Sequence, residues 1–485
     1  MNAQLQSSVV SIGPKKPTLT IPEGKKVYVL DKNILKNHPD AMFSFEDNVV
    51  VIPLVVIDDI DRTRNNVRLP TDVRYTTERV FENLNSLRQY GSLESGVTMP
   101  NGGIVYVARN GYDWNDLPDG LSKSDDNIVM LVAISMQRYY PDVEVVLISD
   151  NLATYTKADA LGIVAQEYMG GKAYRSAKDI YSGRVHLTFR EDFDVQPLLA
   201  SSGDIISIVL TNDAFEEENA VNDLVLNQCC YLHHHATEHT TLALYKGDGN
   251  FVTVISNQSY RRLYPKIMPK NDEQAFALAL AMDPSLDIVS FNGPAGTGKT
   301  LMALLGALVE DTGKYSAIKV YRVAIEADDT LGFTPGEQED KFNPWTLPIV
   351  DALEVIVGPS FSASENHMDK KGTVNPALEL IRSGQVTIEP PNHLRGRTLP
   401  RVVIIIDDAQ NTTRELMKLI VTRAGEGTKV IVIGDHSQID RTGLTATSNG
   451  HAHLIRSFAG ADNFGHITLE KTVRSRLAEQ AAARL

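Results

Sequence analysis

The stretch GPAGTGKT, Gly293 to Thr300, constrains the fold more than any other part of this sequence. It fits the pattern G-x-x-x-x-G-K-[ST], in which glycines let backbone N–H groups close around phosphate oxygens. The apolar run DIVSF precedes it, and the helical pattern LMALLGALVE follows it. A strand, a glycine loop and a helix in this order aim the positive end of the helix dipole at a phosphate. The segment therefore predicts a nucleotide site on a parallel α/β sheet.

Each residue of this loop is expected to contact ATP. The eight residues are Gly293, Pro294, Ala295, Gly296, Thr297, Gly298, Lys299 and Thr300. In this pattern the lysine reaches the β- and γ-phosphates and the threonine hydroxyl binds Mg²⁺. The alternative is a chance glycine loop, which the flanking strand and helix disfavour.

A second apolar run, VVIIIDDAQN at residues 402–411, ends in the acids Asp407 and Asp408. Such a run is typical of a strand buried on both faces, and carboxylates at its end are costly to bury without a partner. Downstream of a phosphate loop, Asp407 is expected to hold Mg²⁺. A third run, KVIVIGDHSQ, brings Asp435 and Gln438 to another strand end, and Gln438 is expected to sense the γ-phosphate or the attacking water. A structural role for Asp435 and Gln438 is the alternative.

These motifs and others, in order, resemble the PhoH family of ATPases over residues 262–485. The segments that carry the resemblance are GPAGTGKT, LGFTPGEQEDKFNPW, LRGRTLP, IIIDDAQN, TRAGEGTKVIVIGDHSQID and SNG. The family is similar in its core to superfamily-one helicases. The resemblance implies nucleotide hydrolysis coupled to nucleic acid, usually RNA, and a hexameric ring of identical chains.

The resemblance also implies roles for residues outside the loop. Gln274, in PKNDEQAFAL, corresponds to the position that reads the adenine edge. Arg423 and Arg474 are candidates for stabilising phosphate charge, supplied in trans within a ring, and an exposed arginine is the alternative for each. The family usually has D-E-A-Q where this chain has Asp408, and its glutamate polarises the attacking water. Aspartate is one methylene shorter, by about 1.5 Å of bond length. Misplacement of that order can cost about 10²-fold in rate, so we expect slow hydrolysis with Asp408 as catalytic residue.

The first part of the chain, residues 26–168, alternates strand and helix patterns and so predicts a second parallel sheet covered by helices. Asp31, Asp59 and Asp150 follow apolar runs predicted as strands, and Asp126 opens a predicted helix. The carboxyl edge of such a sheet is where open α/β folds build sites. Clustered carboxylates repel one another unless a cation joins them, which predicts Mg²⁺ or Mn²⁺ and a metal-bound water that attacks a phosphodiester.

This part resembles the PIN domain, a ribonuclease fold. The stretch VLDKNILKNHPDAMFSFEDNVVVIPLVVIDDIDR carries the resemblance, which implies that Asp31, Asp59 and Asp126 are catalytic, metal-holding acids. Asp58 is interpreted as a helix-capping residue. Asn151 occupies the position of the usual fourth aspartate, with Asp150 one residue early. Either Asp150 serves as a ligand, or the site is weaker and needs Mn²⁺, or the nuclease is inactive and only grips RNA.

The rest of the chain suggests a tail at residues 1–25 and a β-rich connecting module at residues 169–261. There is no signal-peptide pattern and no apolar run of about 18 residues, which argues against a membrane span. Cys229 and Cys230 are the only two cysteines, which predicts a reducing, cytoplasmic location. A net charge of −14 argues against indiscriminate nucleic-acid coating, although a local basic channel is compatible with it.

Three further features each have two interpretations. The cluster CCYLHHHATEH is either a zinc site or a polar hairpin tip, and its spacing fits no structural zinc pattern. The arginines of LRGRTLPR contact either phosphates or a neighbouring subunit; they are Arg395, Arg397 and Arg401. The aromatic segment LGFTPGEQEDKFNPW either stacks on bases or packs against a subunit.

The sequence therefore predicts an α/β protein with a PIN-type parallel sheet domain, a small β-rich module and a helicase-like P-loop ATPase domain. We expect an ATP-dependent RNA helicase or remodelling ATPase coupled to a metal-dependent endoribonuclease acting on single-stranded RNA. The first alternative keeps the ATPase and makes the PIN domain inactive. A small-molecule phosphotransferase is the second, and RNA-stimulated ATP hydrolysis distinguishes it from the other two.

Overall fold

The computed structural model describes residues 17–66, 71–109, 112–195, 207–235, 239–254, 267–310, 314–323, 346–358, 375–394, 396–441 and 443–473. The chain divides into two compact units, Met1–Lys172 and Ala173–Leu485, called here the amino-terminal and carboxyl-terminal units. Within the described ranges, no helix is both long enough and apolar enough to cross a membrane.

The amino-terminal unit contains one six-stranded sheet. Its strands are β1 (Val27–Leu30), β2 (Val49–Pro53), β3 (Val97–Thr98), β4 (Ile104–Ala108), β5 (Val145–Ile148) and β6 (Val164–Gln166). They lie in the order β3-β4-β2-β1-β5-β6, and every neighbouring pair is parallel except β3 with β4. Strands β2, β4 and β5 are buried along their whole length, which fits the continuous apolar runs of a covered parallel sheet.

In the described part of this unit, five α-helices accompany the sheet, and polar residues begin three of them. The helices are α1 (Lys32–Asn37), α2 (Leu54–Asn65), α3 (Thr71–Arg88), α4 (Asp125–Tyr139) and α5 (Leu152–Ala160). The side chains of Asp31, Ser124 and Asn151 accept hydrogen bonds from the first-turn N–H groups of α1, α4 and α5. Such caps satisfy donors that a helix cannot pair internally. They also fix Asp31 and Asn151 at the carboxyl ends of neighbouring strands.

One strand prediction is wrong. The sequence predicts that the apolar run before Asp59 is a strand, but β2 ends at Pro53, and α2 begins at Leu54 and contains Asp59. Proline has no N–H for the sheet, and its fixed φ suits a helix start. A short apolar run such as LVVI fits strand and helix equally well by periodicity. Asp58 and Asp59 consequently lie in the second turn of a helix and point in different directions.

The carboxyl-terminal unit begins with a five-stranded sheet. Its strands are β7 (Arg184–Thr188), β8 (Ser207–Val209), β9 (Cys229–His233), β10 (Thr240–Tyr245) and β11 (Asn250–Thr253). The order is β7-β9-β10-β11-β8; β7 runs parallel to β9 and the other pairs are antiparallel. Cys229 packs into the core of the following parallel sheet, whereas Cys230 packs with Phe215 and Phe251 on the opposite face. The two thiols therefore face away from each other.

A six-stranded, wholly parallel sheet forms the rest of this unit. Its strands are β12 (Ile288–Asn292), β13 (Ile318–Arg322), β14 (Val386–Glu389), β15 (Val403–Asp407), β16 (Lys429–Gly434) and β17 (Phe464–Thr468). The described helices are α6 (Asp272–Met282), α7 (Lys299–Glu310), α8 (Leu347–Val357), α9 (Pro376–Arg382), α10 (Arg414–Val421) and α11 (Gly450–Phe458). The order β14-β13-β15-β16-β12-β17 places β15, β16 and β12 side by side.

The strand register sets the edge where a site can form. Asn292 at the end of β12 lies opposite Gly434 at the end of β16, and Arg322 at the end of β13 lies opposite Asp407. The carboxyl ends of these strands are therefore level. Side chains in the loops that follow them meet in one place, outside the carboxyl edge of the sheet.

Candidate functional site: a phosphate loop and two groups of acids

The loop Gly293–Thr300 connects the end of β12 to the start of α7. Gly293 has φ of 145°, and a Cβ there would lie 2.0 Å from the carbonyl oxygen of Leu469. Gly298 has φ of 91°, and a Cβ there would lie 2.7 Å from Nε2 of Gln274. Both positions therefore require glycine, because a side chain would collide with the segments that support the loop.

The side chains of Lys299 and Thr297 donate hydrogen bonds to carbonyl oxygens within the loop. Nζ of Lys299 donates to the carbonyl oxygens of Gly293 at 2.5 Å and Pro294 at 2.8 Å. The hydroxyl of Thr297 also donates to the oxygen of Pro294, at 3.0 Å. Thr300 is the second residue of α7. The lysine and the threonine thus stand at a helix N-terminus, where an anion is stabilised by the backbone N–H groups and the helix dipole.

Asp407 lies buried at the end of β15. Burial and, after it, the charge of Asp408 raise its pKa to about 6, and Arg322 and Lys299 oppose the shift. Nε of Arg322 is 3.8 Å from Oδ2 of Asp407. A buried carboxylate beside a second acid gains from any added cation. The burial and charge of Asp407 therefore suit a Mg²⁺ ion, and its role as a ligand together with Thr300 stays a prediction.

Asp408 takes the left-handed conformation, with φ of 56°. This conformation is uncommon outside glycine, but aspartate and asparagine tolerate it better than most residues. The carboxylate accepts hydrogen bonds from Nε of Arg322 at 3.1 Å and from its Nη2 at 3.0 Å. Arg322 was not singled out from the sequence. Its only signal there was its position at the end of the strand IKVYR.

Gln410 connects the two acidic strand ends and was also missed by the sequence analysis. Its Nε2 lies 3.4 Å from Oδ1 of Asp408 and 3.1 Å from the carbonyl oxygen of Gln438, and its Oε1 accepts from the N–H of Asp435 at 2.9 Å. The side chain is buried. A single amide thus holds the loop after β15 against the loop after β16.

Asp435 is buried, and Gln438 is exposed on the same edge of the sheet. Oδ1 of Asp435 accepts from the N–H and the hydroxyl of Ser437, at 2.9 and 2.5 Å. Its Oδ2 is buried and has no hydrogen-bond partner among the described residues. An unpaired buried oxygen is costly.

Gln274 is buried beside the phosphate loop. Its Nε2 donates to the carbonyl oxygen of Thr297 at 2.8 Å, and its Oε1 accepts from the N–H of Lys270 at 2.8 Å. In this arrangement Gln274 supports the loop backbone. Its recognition of adenine stays a prediction.

The predicted arginines are only partly described. Nε of Arg423 lies 3.4 Å from the carbonyl oxygen of Leu419, and Nη1 of Arg397 lies 3.8 Å from Glu389. Arg401 is exposed, with φ of 52°. Arg474, Arg395 and the aromatic segment at residues 331–345 lie outside the described residues.

In the amino-terminal unit, Asp31 is buried at the end of β1. Its Oδ1 accepts from the N–H of Lys32 at 2.7 Å, and its Oδ2 accepts from the hydroxyl of Ser149 at 2.7 Å. Burial raises the pKa of Asp31, the two hydrogen bonds oppose the shift, and the charge of Asp126 adds to it. Both oxygens are thus held by groups at adjacent strand ends.

Lysines lie against the other two acids. Nζ of Lys32 is 2.8 Å from Oδ1 of Asp126, and Lys36 forms an ion pair with Oδ2 of Asp59. Asp58, by contrast, has a side chain that is 68% exposed and pairs with Arg62. The structure therefore brings Asp31, Asp59 and Asp126 together in the neighbourhood of Lys32, and leaves Asp58 on the surface of α2.

Two neighbouring residues, Asp150 and Asn151, are candidates for the position of the usual fourth aspartate. Asp150 accepts a hydrogen bond at Oδ1 from the N–H of Tyr168, at 3.1 Å, and burial raises its pKa to about 6. Asn151 caps α5 through the N–H of Ala153, at 2.9 Å. Asp150 is therefore held by the segment after β6, and the side-chain oxygen of Asn151 is used as a helix cap.

As they are arranged, these acids do not fit a divalent ion. The carboxylates of Asp59 and Asp126 are each paired with an ammonium group, and both oxygens of Asp31 accept hydrogen bonds. In the part of the chain that the structure describes, no group of three or more His, Cys, Asp or Glu side chains is placed to hold a metal ion. Magnesium or manganese at this site stays a prediction from the sequence.

Two family models match separate parts of this chain. The PhoH-like protein model matches residues 266–484, which include the phosphate loop and the acids of β15 and β16. The PIN domain model matches residues 28–169, which include Asp31, Asp59, Asp126 and Asp150.

Three relatives are similar to this chain over most of its length. Protein PhoH2 of Bacillus subtilis is 33% identical over 476 residues, covering 94% of this chain and 99% of that protein. Protein PhoH2 of Thermobispora bispora is 28% identical over 479 residues, covering 97% of each chain. Protein PhoH2 of Mycolicibacterium smegmatis is 28% identical over 459 residues, covering 93% of this chain and 95% of that one.

Proposed function

This chain belongs to the PhoH2 family, with a PIN domain followed by a PhoH domain, and from this premise we propose that it is an ATP-driven RNA-remodelling enzyme. The observation that carries the proposal is the meeting of three elements at one sheet edge. These are the phosphate loop after β12, the acids at the end of β15 and the Asp435–Gln438 segment after β16. Gln410 binds the last two together.

Each element has a role in ATP hydrolysis. The loop Gly293–Thr300 and the ammonium of Lys299 bind the phosphates. Thr300 and Asp407 would hold an accompanying Mg²⁺ ion, which would supply positive charge to offset that of the phosphates. Asp408, with Gln438, orients the attacking water. Gln410 transmits a change at Asp408 to Asp435, because its amide contacts both loops.

Single-stranded RNA is the proposed polymer, and a hexameric ring of identical chains in the cytoplasm is the proposed assembly. Both follow from the family. Arg397 and Arg401 support phosphate contact within a chain of net charge −14, and contact with a neighbouring subunit is the rival role. In a ring, Arg423 or Arg474 would stabilise the phosphates bound by the adjacent chain.

For the PIN domain, the contacts argue against metal-dependent cleavage, and RNA binding without cleavage is the proposed role. Its acids are already paired with Lys32 and Lys36, and Asn151 serves as a helix cap. Metal-dependent endoribonuclease activity is the second candidate. It is favoured by the gathering of Asp31, Asp59 and Asp126 within one region of the domain.

ATP hydrolysis with and without homopolymeric single-stranded RNA tests the ATPase. We expect RNA to stimulate hydrolysis, and Lys299→Ala to abolish it while the exposed Lys314→Ala control retains it. A rate of ATP hydrolysis that RNA does not change would contradict the proposal and favour a phosphotransferase.

Labelled RNA on a gel tests the nuclease separately. The RNA is incubated with Mg²⁺ or Mn²⁺, with and without ATP, beside an Asp31→Asn variant. We expect intact RNA in every lane. Cleavage that disappears in the variant would instead establish a working nuclease, and its dependence on ATP would show that the two units are coupled.

A further inference from the structure

Lys32 directly follows Asp31 and begins α1. Its backbone and its side chain contact different acids of the same group. Its N–H donates to Asp31 at 2.7 Å, while its Nζ lies 2.8 Å from Oδ1 of Asp126. The lysine side chain is 23% exposed, against 36% for the aspartate. The ammonium is therefore largely enclosed by the acidic edge of the sheet.

The charges around Lys32 come from all three acids. Asp31 directly precedes Lys32, and Asp126, in the first turn of α4, pairs with its ammonium. Asp59 of α2 pairs with Lys36 on the same helix as Lys32. A cation shared by several carboxylates is the arrangement that relieves their mutual repulsion.

Lys36 adds a second positive charge one helical turn later. Residues four apart lie on one face of a helix, so the side chains of Lys32 and Lys36 leave α1 in the same direction. Lys36 pairs with Asp59, and their side chains are 21% and 18% exposed. Both lysines therefore face the acids, and a partly buried pair is less screened than a surface pair.

We propose that Lys32 and Lys36 are built-in counter-cations of the PIN domain, which replace a divalent metal ion among Asp31, Asp59 and Asp126. Three carboxylates and two ammonium groups leave one net negative charge, in place of three. A divalent ion entering the group has to displace the ammonium of Lys32 from Asp126. The domain is consequently stable without metal and binds divalent ions weakly. This holds whether or not the carboxyl-terminal unit hydrolyses ATP.

Binding of Mn²⁺ to the full chain without nucleotide tests the inference, because free Mn²⁺ gives a sharp electron paramagnetic resonance spectrum that bound Mn²⁺ loses. The variant Lys32→Met/Lys36→Met keeps the aliphatic length and removes both charges. We expect this variant to bind one additional Mn²⁺ ion per chain. Its dissociation constant at this site should be lower than that of wild type by on the order of tenfold or more. Adding Asp31→Asn to this variant should abolish the gain.

Lys26→Met is the matched control. Lys26 also pairs with a carboxylate in the same unit, at 2.7 Å from Glu144, but both side chains are about half exposed, at 48% and 47%. Its loss should leave Mn²⁺ binding unchanged. Weak binding sites elsewhere in the chain are common to all variants and cancel in the comparison.

Two results would overturn the inference. One is that wild type already binds Mn²⁺ as tightly as the double variant, in a manner that Asp31→Asn abolishes. The other is that the folded double variant gains no binding. If the double variant does not fold, the single variant Lys32→Met decides: a gain in Mn²⁺ affinity supports the inference, and an unchanged affinity overturns it.

Discussion

Nη1 of Arg184 donates to Oε1 of Glu273 at 2.7 Å, joining the first strand of the five-stranded sheet to the helix that supports the phosphate loop. The glutamate side chain is only 2% exposed. Its second oxygen accepts from the N–H groups of Glu470 and Lys471, each at 2.8 Å. Two residues later, the N–H of Val473 donates to Gly296 of the loop at 2.8 Å. The five-stranded sheet is thereby connected to the nucleotide site through one carboxylate.

Replacing Arg184 with alanine should therefore weaken nucleotide binding as well as stability. Removing one partner of a buried ion pair typically costs about 3–5 kcal/mol, because the other charge stays buried. We expect a loss near the lower figure in urea unfolding, together with a raised dissociation constant for a fluorescent ATP analogue.

Arg190→Ala is the control for this change, since Arg190 lies in the same part of the unit but donates to the carbonyl oxygen of Phe215. Its nucleotide affinity should match wild type. A variant of Arg184 with full nucleotide affinity would show that the connection through Glu273 is only structural.

Asp408→Glu should raise the rate of ATP hydrolysis. The longer side chain advances the carboxylate toward the phosphate by about 1.5 Å, and a shift of that order changes rates by up to about 10²-fold. Glutamate tolerates the left-handed backbone less well, so we also expect a loss of stability of about 1 kcal/mol. Single-turnover hydrolysis and urea unfolding measure the two effects. If the variant hydrolyses ATP no faster than wild type, the retracted carboxylate is not what limits the rate.

Gln410→Leu should lower the rate constant of hydrolysis more than the affinity for ATP. Leucine fills a similar volume but leaves the N–H of Asp435 without its acceptor, a cost of about 1–3 kcal/mol for a buried donor. The loops after β15 and β16 then move independently, while the phosphate loop is unchanged. Steady-state kinetics separate the two quantities. An equal fall in affinity and in rate constant would argue against a specific role in coupling the two loops.

Three histidines, of which His451 and His466 are buried and His436 is half-buried, form a chain of contacts with Ser290 of β12. Nε2 of His436 lies 3.1 Å from Nδ1 of His451, whose Nε2 lies 2.8 Å from the hydroxyl of Ser290, and Nδ1 of His466 lies 3.0 Å from the same hydroxyl. Burial lowers the pKa of His436 to about 4 and that of His466 to about 3, and it lowers the pKa of His451 strongly. All three are therefore neutral in the folded protein at neutral pH.

The carboxyl-terminal unit should lose stability as the pH falls from about 6.5 toward 4. The folded-state pKa values lie below the unfolded value of about 6.5, so only the unfolded chain takes up protons in this window. His436 and His466 then each contribute a loss of about 2 kcal/mol by pH 5, and His451 acts in the same direction.

Urea unfolding of wild type and of His466→Asn at pH 7 and pH 5 checks this. The variant should lose about 2 kcal/mol less than wild type between the two pH values. Any destabilisation that the substitution causes at both pH values cancels in that difference. Equal losses in the two proteins would falsify the assignment to His466.

The sequence by itself determined the elements and the edge at which they meet. A glycine loop between an apolar strand and a helix has few alternatives, because its glycines take backbone angles and close contacts that other residues cannot. Apolar runs that end in acids indicated buried parallel strands, and parallel strands have level carboxyl ends. That reasoning was reliable for β12, β15 and β16 but failed at Pro53, where the run LVVI begins a helix.

Only the tertiary structure decided which charges are paired. Arg184 and Glu273 are 89 residues apart in sequence, and Arg322 and Asp408 are 86 apart. The partner of each acid depends on strand order, register and side-chain direction, none of which a local pattern contains. The same is true of Lys32, because its neighbour in sequence is Asp31 but the acid its ammonium contacts is Asp126, brought close by folding. Local periodicity therefore predicts where charges lie along the chain, and packing alone decides which charges neutralise one another.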